Sequence, residues 1–374
     1  MAVISYKCPN CDGELVFDPA SQKYKCEYCN SLFTQEELDA LNPAQSTEQK
    51  TDSDADADEK AMGQEKTFAG NTDREESHET EHTDDAVIYT CPSCGAEIVT
   101  DDTTAATFCY YCHNPVVLGG RLDGKFLPDH IIPFQIDRKK AEETFLAYVG
   151  KKKFVPRGFF SKKNIEKLSS VYFPYWVYSV KLKGKMNAEA KSIRTWIAGD
   201  EEFTETKIYE LIREGRAELK DRPENALKKA NSVLAEGVMP YRFGEMKDFH
   251  MGYLSGFLAE KRDIESKDVQ QKLQMEMRKN AEALFRDSMG GYGAVHVRNS
   301  DFSAEQELWQ YVLLPVWTLT YPGKNGKVYY YSMNGQTGKV CGELPIDWKK
   351  VVLTGLMVFG AVLILGLLGG RFLW

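Results

Sequence analysis

The 374-residue chain contains no GxxxxGK[ST] run, no GxSxG turn and no other phosphate-cradling loop. Those absences exclude a P-loop nucleotidase and an α/β-hydrolase nucleophile. Gly290-Gly-Tyr-Gly293 follows a helical stretch rather than a strand, so it reads as a helix end and turn. Histidine is scarce at six residues, and His130, His250 and His296 stand singly, without partner spacing. Lacking a convergent catalytic set, the chain is read as a non-enzyme. No signal peptide is expected, because Met1–Pro9 run directly into a cysteine pair.

Cysteine, by contrast, is patterned. Cys8-Pro-Asn-Cys11 and Cys26-Glu-Tyr-Cys29 are separated by fourteen residues, as are Cys91-Pro-Ser-Cys94 and Cys109-Tyr-Tyr-Cys112. The second set repeats the first at an offset of 83 positions, so the unit is an internal duplication. Two CxxC turns joined by a short hairpin gather four thiolates tetrahedrally, the arrangement Zn²⁺ prefers. Cys8, Cys11, Cys26, Cys29, Cys91, Cys94, Cys109 and Cys112 are therefore the expected ligands of two structural Zn²⁺ sites. Four sulfurs leave no open coordination position, so no metal-bound water is activated. Ribbons this small depend on the metal for their folding free energy. A thioredoxin-like redox reading would want one CxxC in a βαβ unit. His113 reads as a surface residue after its knuckle, and Cys341 as a small buried hydrophobe.

Charge is unevenly placed. Residues 43–85 hold fourteen acids against four bases, a net −10 in a chain of net −8. The run Thr51–Glu59 has too little apolar content to offset its ordering entropy, so an extended, disordered spacer is expected. Within it, His78-Glu-Thr-Glu-His82 matches the HExxH of zinc proteases, but no apolar helix face surrounds it. The match is read as chance. Just before the spacer, Thr34-Gln-Glu-Glu37 is a capping box that predicts a short helix to about Leu41.

Val351–Gly370 is an uncharged run of twenty residues, enough to cross a hydrocarbon core of about 30 Å as a helix. Lys349 and Lys350 precede it, in keeping with the positive-inside rule. The expectation is a single-pass C-terminal anchor in the cytoplasmic membrane, with the remainder in the cytosol.

Residues 121–348 read as a mixed α+β domain with an antiparallel sheet. Helical periodicity marks Arg138–Val149, Glu224–Leu234 behind Pro223, and Lys267–Met289. Strand-like runs cover 171–183, 203–212, 292–300, 309–321, 327–333 and 338–344, the last three predicted as a meander through Asn325-Gly326 and Asn334-Gly335. Tyr172-Phe-Pro-Tyr-Trp176 and Leu313-Leu-Pro-Val-Trp317 look alike and suggest a fainter duplication sharing one sheet. Between Arg138 and Lys167 lie ten Lys/Arg and three Glu, including Lys151, Lys152, Lys153, Arg157, Lys162 and Lys163. This cluster reads as a solvated face, an anionic-lipid contact or a nucleic-acid contact.

With these features placed, the chain resembles bacterial membrane-anchored proteins bearing a transcription-factor-IIB-type zinc ribbon. These are similar to the membrane partners of phage-shock protein A. The likeness rests on the CPxC knuckles, Ile132-Pro-Phe134, the Tyr-x-Pro-x-Trp phrase and Met333-Asn-Gly-Gln-Thr-Gly-Lys339, across most of residues 86–370. It implies recruitment of that effector and of band-7-like (SPFH) proteins to stressed membranes. The replication-helicase label carried by some relatives conflicts with the missing phosphate loop.

The resulting expectation has five parts: a ribbon at 1–42, an acidic linker at 43–85, a ribbon at 86–120, an α+β cytosolic domain at 121–348 and a transmembrane anchor at 349–374. The first ribbon is expected on a leash and the second near the core. Their predicted work is that of a non-enzymatic adaptor docking cytosolic or membrane-associated proteins. The alternative is a membrane-tethered nucleic-acid binder in replication or transcription.

Overall fold

The computed structural model describes residues 3–4, 6–41, 87–91, 94, 97–109, 113–118, 121–122, 124–156, 165, 167–230, 236–322 and 327–372. The expected acidic linker and its HExxH match lie outside these residues. In chain order come β1 (Val3–Ile4), β2 (Leu15–Asp18), β3 (Lys23–Cys26), β4 (Leu32–Phe33), α1 (Gln35–Leu41), β5 (Val87–Thr90), β6 (Glu97–Thr100), β7 (Thr104–Phe108) and β8 (Pro115–Leu118). Then follow β9 (His130–Ile131), α2 (Arg138–Gly150), β10 (Ser169–Ala198), β11 (Glu201–Asn225), β12 (Lys247–Asp248) and β13 (Leu258–Glu260). The chain continues with α3 (Ser266–Asp287), β14 (Ala294–Pro322), β15 (Val328–Asn334), β16 (Val340–Gly342) and α4 (Trp348–Phe372). The protein is α+β; β10 pairs antiparallel with both β11 and β14, while β9 runs parallel to β14. Two units form: residues 1–127 with His250–Ala259, and residues 128–249 with 260–374.

In the first unit, alternation along β2 and β3 buries Leu15, Phe17, Tyr24 and Cys26 on one face. The capping box forms: Glu37 N–H donates to Thr34 Oγ1 at 3.3 Å, and Thr34 N–H to Glu37 Oε2 at 2.7 Å. Where a leash was expected, the structure fastens the N-terminal segment. Val3–Ile4 of β1 pair with Val117–Leu118 of β8, and Asn114 Nδ2 donates to Glu14 Oε1 at 2.9 Å. The loop His250–Ala259 completes this unit. Its Tyr253 ring packs edge-on to Phe17 at 5.0 Å, and Ser255 Oγ donates to Leu15 O at 2.5 Å. Gly256 is at φ +88°, where a Cβ would run into Val16. That non-local contact carries no sequence signature.

The second unit is built on strands far longer than their predicted runs. β10 and β11 form one hairpin from Tyr175↔Asn225 to Ala198↔Glu201, turning at Gly199 (φ +69°). Its distal faces are wet on both sides, so apolar alternation stops well before the pairing does. The predicted helix over Glu224–Leu234 is not found among the described residues. Pro223 and Glu224 pair with Val177 and Trp176 in the hairpin, and Asn225 Oδ1 then accepts Leu227 N–H in an Asx turn. The other two predicted helices are present as α2 and α3. α3 buries Val269, Leu273, Met277, Ala281 and Phe285 as one stripe. Phe285 meets Phe302 edge-on at 5.1 Å over Gly184, where any Cβ would overlap both rings. The meander β14–β15–β16 is antiparallel.

The two Pro-x-Trp phrases lie directly opposite each other. Phe173 pairs with Leu314, flanked by Pro174↔Leu313 and Tyr172↔Pro315, so a local twofold relates β10 and β14. Each proline lies just outside the ladder of its outer strand, which is how long paired strands tolerate it. Hydrogen bonds repeat around this axis. Pro315 O accepts Gly335 N–H (2.8 Å), Gly335 O accepts Gln135 and Ile136 N–H (3.0 Å each), and Ile136 O accepts Trp317 Nε1 (3.0 Å). In the other half Pro174 O accepts Ala226 N–H (3.0 Å), Ala226 O accepts Asp263 (3.0 Å) and Ile264 (3.2 Å), and Ile264 O accepts Trp176 Nε1 (2.9 Å). Ile136 and Ile264 each precede a helix cap, Asp137 of α2 and Glu265 of α3. Two copies of helix, strand and strand thus clasp one another, each tryptophan holding the helix entry of the other copy.

Candidate metal centres and the apolar helix

Among the described residues, the position after a cysteine pair is left-handed at Asp12 (φ 58°), Asn30 (φ 57°) and His113 (φ 61°). Asn and Asp adopt that conformation at low cost, which explains these residue types there. His113 is thus part of the turn, its N–H bonded to Cys109 O at 2.9 Å. Cys8 N–H reaches Gly13 O (2.6 Å), Cys26 N–H Ser31 O (3.0 Å), and Cys109 N–H Asn114 O (2.9 Å).

In the first cluster Cys8, Cys11, Cys26 and Cys29 place all four sulfurs within 4.8 Å of one another. Cys8–Cys29 and Cys11–Cys26 approach at 3.6 and 3.5 Å. A tetrahedral Zn²⁺ with sulfurs at about 2.3 Å would hold them about 3.8 Å apart, so the set is compatible with that ion. Cys8 and Cys26 are buried and Cys11 and Cys29 exposed, which puts the candidate site at the surface with a packed floor. The electrostatics agree. The Ser31 hydroxyl and amide pull the Cys29 thiol down to about 6. The Gly13 amide also favours a Cys11 thiolate, yet the adjoining Cys26 and Cys29 sulfurs leave Cys11 raised to about 12. Four sulfurs this close cannot all ionise without a cation among them.

The second cluster brings together Cys91, Cys94 and Cys109, with Cys94–Cys109 at 3.7 Å. Cys112 lies outside the described residues. This cluster has its own small core of Tyr89, Ile98, Val116 and Leu118 around Cys91 and Cys109. Arg121, buried, donates Nε to Tyr89 Oη at 2.5 Å and Nη2 to Asp101 O at 3.2 Å, tying β8's end to the β5–β6 hairpin. Neither Arg121 nor Asp101 stood out in the sequence, since a lone arginine carries no motif. Cys341 belongs to neither cluster and packs beside Val238 and Tyr241 in the second unit.

α4 is long and apolar enough to cross a membrane, with mean hydropathy 1.8 over Trp348–Gly366 and none of that stretch buried. Leu353, Leu356, Phe359, Val362 and Ile364 point outward around the helix. Asp347 O accepts Val351 N–H at 3.1 Å in its first turn. Of the basic cluster, Lys151, Lys152 and Lys153 are exposed just after α2, while Arg157, Lys162 and Lys163 lie outside the described residues.

These features define an α+β protein with two cysteine clusters compatible with metal and one apolar C-terminal helix. The chain is 29% identical over 371 residues, 99% of its length, to a Bacillus subtilis (strain 168) protein, YdjG, 96% of which is covered and which is described as uncharacterized. No protein-family model matches the chain. No solved structure matches it either.

Proposed function

We propose that this chain is a non-enzymatic, single-pass, tail-anchored zinc-ribbon adaptor. It recruits cytosolic proteins to the inner face of the cytoplasmic membrane as part of an envelope stress response. The observation that carries the reading is α4, whose stretch Trp348–Gly366 is long, apolar and unburied. An exposed surface of that size is costly in water and natural in lipid. Each cysteine cluster, holding Zn²⁺ through Cys8, Cys11, Cys26 and Cys29 or through Cys91, Cys94, Cys109 and Cys112, is a closed structural site. The metal stiffens a small docking surface. The resemblance to membrane partners of phage-shock protein A supplies the partner class: that effector and SPFH-type proteins.

The long sheet gives the nucleic-acid alternative little support on charge. Along the sheet, Lys181 pairs with Glu218, Lys185 with Glu214, Arg216 with Glu305 and Arg222 with Glu276. Basic side chains matched in this way do not offer phosphates a continuous stripe.

The test is purification of the full chain from gently solubilised native membranes, with and without nuclease, and identification of its companions. Specific stress-response or membrane proteins that survive nuclease support the adaptor. Companions lost on digestion, or a Cys91→Ser variant that recruits as well as wild type, overturn it.

A further inference from the structure

The basic run after α2 and the start of α4 are distant in sequence but joined in space. Asp347 N–H donates to Phe154 O at 2.7 Å, and Lys350 Nζ donates to Val155 O at 2.6 Å. The Lys151–Val155 turn is thereby fastened to the first turn of the apolar helix, with Val155 buried at the joint. Lys151 caps α2, its N–H bonded to Val149 O, at the helix end whose dipole favours cations. Lys152 Nζ stands 5.6 Å over the Tyr148 ring, and Lys151, Lys153 and Lys349 are exposed. Asp347 is the single acid in the two joined segments, 151–156 and 346–350, and its carboxylate already accepts Lys349 N–H at 3.2 Å. Around the lysines Phe154, Ile346 and Trp348 are exposed as well. Cations interleaved with aromatic and aliphatic side chains, at the foot of a helix long enough to span lipid, match the composition of a bilayer interface.

We propose that this foot is a binding surface for anionic phospholipid headgroups, formed by Lys151, Lys152, Lys153 and Lys349 with Phe154 and Trp348 seated at the interface. The inference rests on reading α4 as a membrane span. Lys350 acts as the strut that holds the turn against the helix, while the free lysines face the headgroup phosphates. The surface orients the cytosolic part on an anionic leaflet and concentrates it where the lipid is negative.

The full-length chain in mild detergent micelles is titrated with phosphatidylglycerol or phosphatidylcholine, and retained lipid is counted by native mass spectrometry. Wild type is expected to retain phosphatidylglycerol in preference to phosphatidylcholine. A Lys151→Gln, Lys152→Gln, Lys153→Gln variant should bind it about tenfold or more weakly, whereas the triple Lys→Arg variant should retain it. Equal retention of the two lipids, an unchanged triple Gln variant, or displacement by equimolar inorganic phosphate overturns the proposal. An unchanged thermal unfolding midpoint in the Gln variant verifies that it folds. Alkaline carbonate extraction of wild-type membranes tests the span separately, because protein released by carbonate refutes the anchor whatever the lipid count says.

Discussion

The indole of Trp317 donates to the carbonyl of Ile136, 181 residues earlier, at 3.0 Å. That carbonyl belongs to the residue before the Asp137 cap, so the bond anchors the entry of α2. Replacing Trp317 by Phe keeps a ring but strands a carbonyl, at a cost of about 1–3 kcal/mol. Trp176→Phe, acting on Ile264 in the other copy, should cost a similar amount. Thermal unfolding of both single variants and the double variant measures this. Two unchanged midpoints would show that the clasps are incidental.

Metal content follows from the cysteine sets. Full-length protein should carry two Zn²⁺ per chain, reduced to one by Cys8→Ser with Cys11→Ser and to one by Cys91→Ser with Cys94→Ser. Elemental analysis after dialysis decides it. Acidification should release the metal with proton uptake, because the ligands must be thiolates to bind. Retention of two metals by either double variant would refute the assignment.

The His250–Ala259 loop should buttress the first cluster. Tyr253 packs on Phe17 at 5.0 Å and on Tyr24 at 6.5 Å, and Tyr24 and Cys26 share β3. Tyr253→Ala removes a large buried ring, for a loss of about 3 kcal/mol. The first cluster should then yield its Zn²⁺ to a competing chelator sooner than in wild type. Identical release curves would separate the loop from the metal site.

Glu245 predicts an acid limb. Its carboxylate accepts from Arg242 Nε at 2.6 Å, Gln135 Nε2 at 2.5 Å and Gln336 Nε2 at 2.9 Å, and with Arg242 first among the causes its pKa falls from 4.5 to about 2. A depressed folded pKa means the stabilisation is complete above the ordinary value of 4.5 and drains away as pH falls from there towards 2. Glu245→Gln should lower the unfolding midpoint at pH 7, with the gap to wild type closing between pH 4.5 and 2. A gap that stays constant over that range would remove Glu245 as its source.

Much of the candidate site was legible because its chemistry is local. The CxxC pairs, the Thr34–Glu37 capping box and the uncharged run after Lys350 are each written in adjacent residues. The α2 and α3 periodicities are likewise short-range. The β10–β11 hairpin outruns its apolar pattern because the buried side of β10 ends at Ala188 and Ala190 and both faces beyond are exposed. The Glu224–Leu234 helix was misread because Pro223 suits a helix start and a strand edge equally well. Its Asx turn depends on backbone acceptors that composition does not display.

The sequence by itself determined which residues can bind metal, which stretch can cross a bilayer and where most helices lie, since those properties depend on side chains a few positions apart. Tertiary structure decided that β1 joins β8, that Tyr253 braces Phe17, that each tryptophan clasps the opposite copy, and that Lys151–Lys153 stand at the foot of α4. Apart from the Tyr253–Phe17 ring contact, these links end on main-chain carbonyls and amides, which every residue possesses, and only the folded chain selects which of them meet.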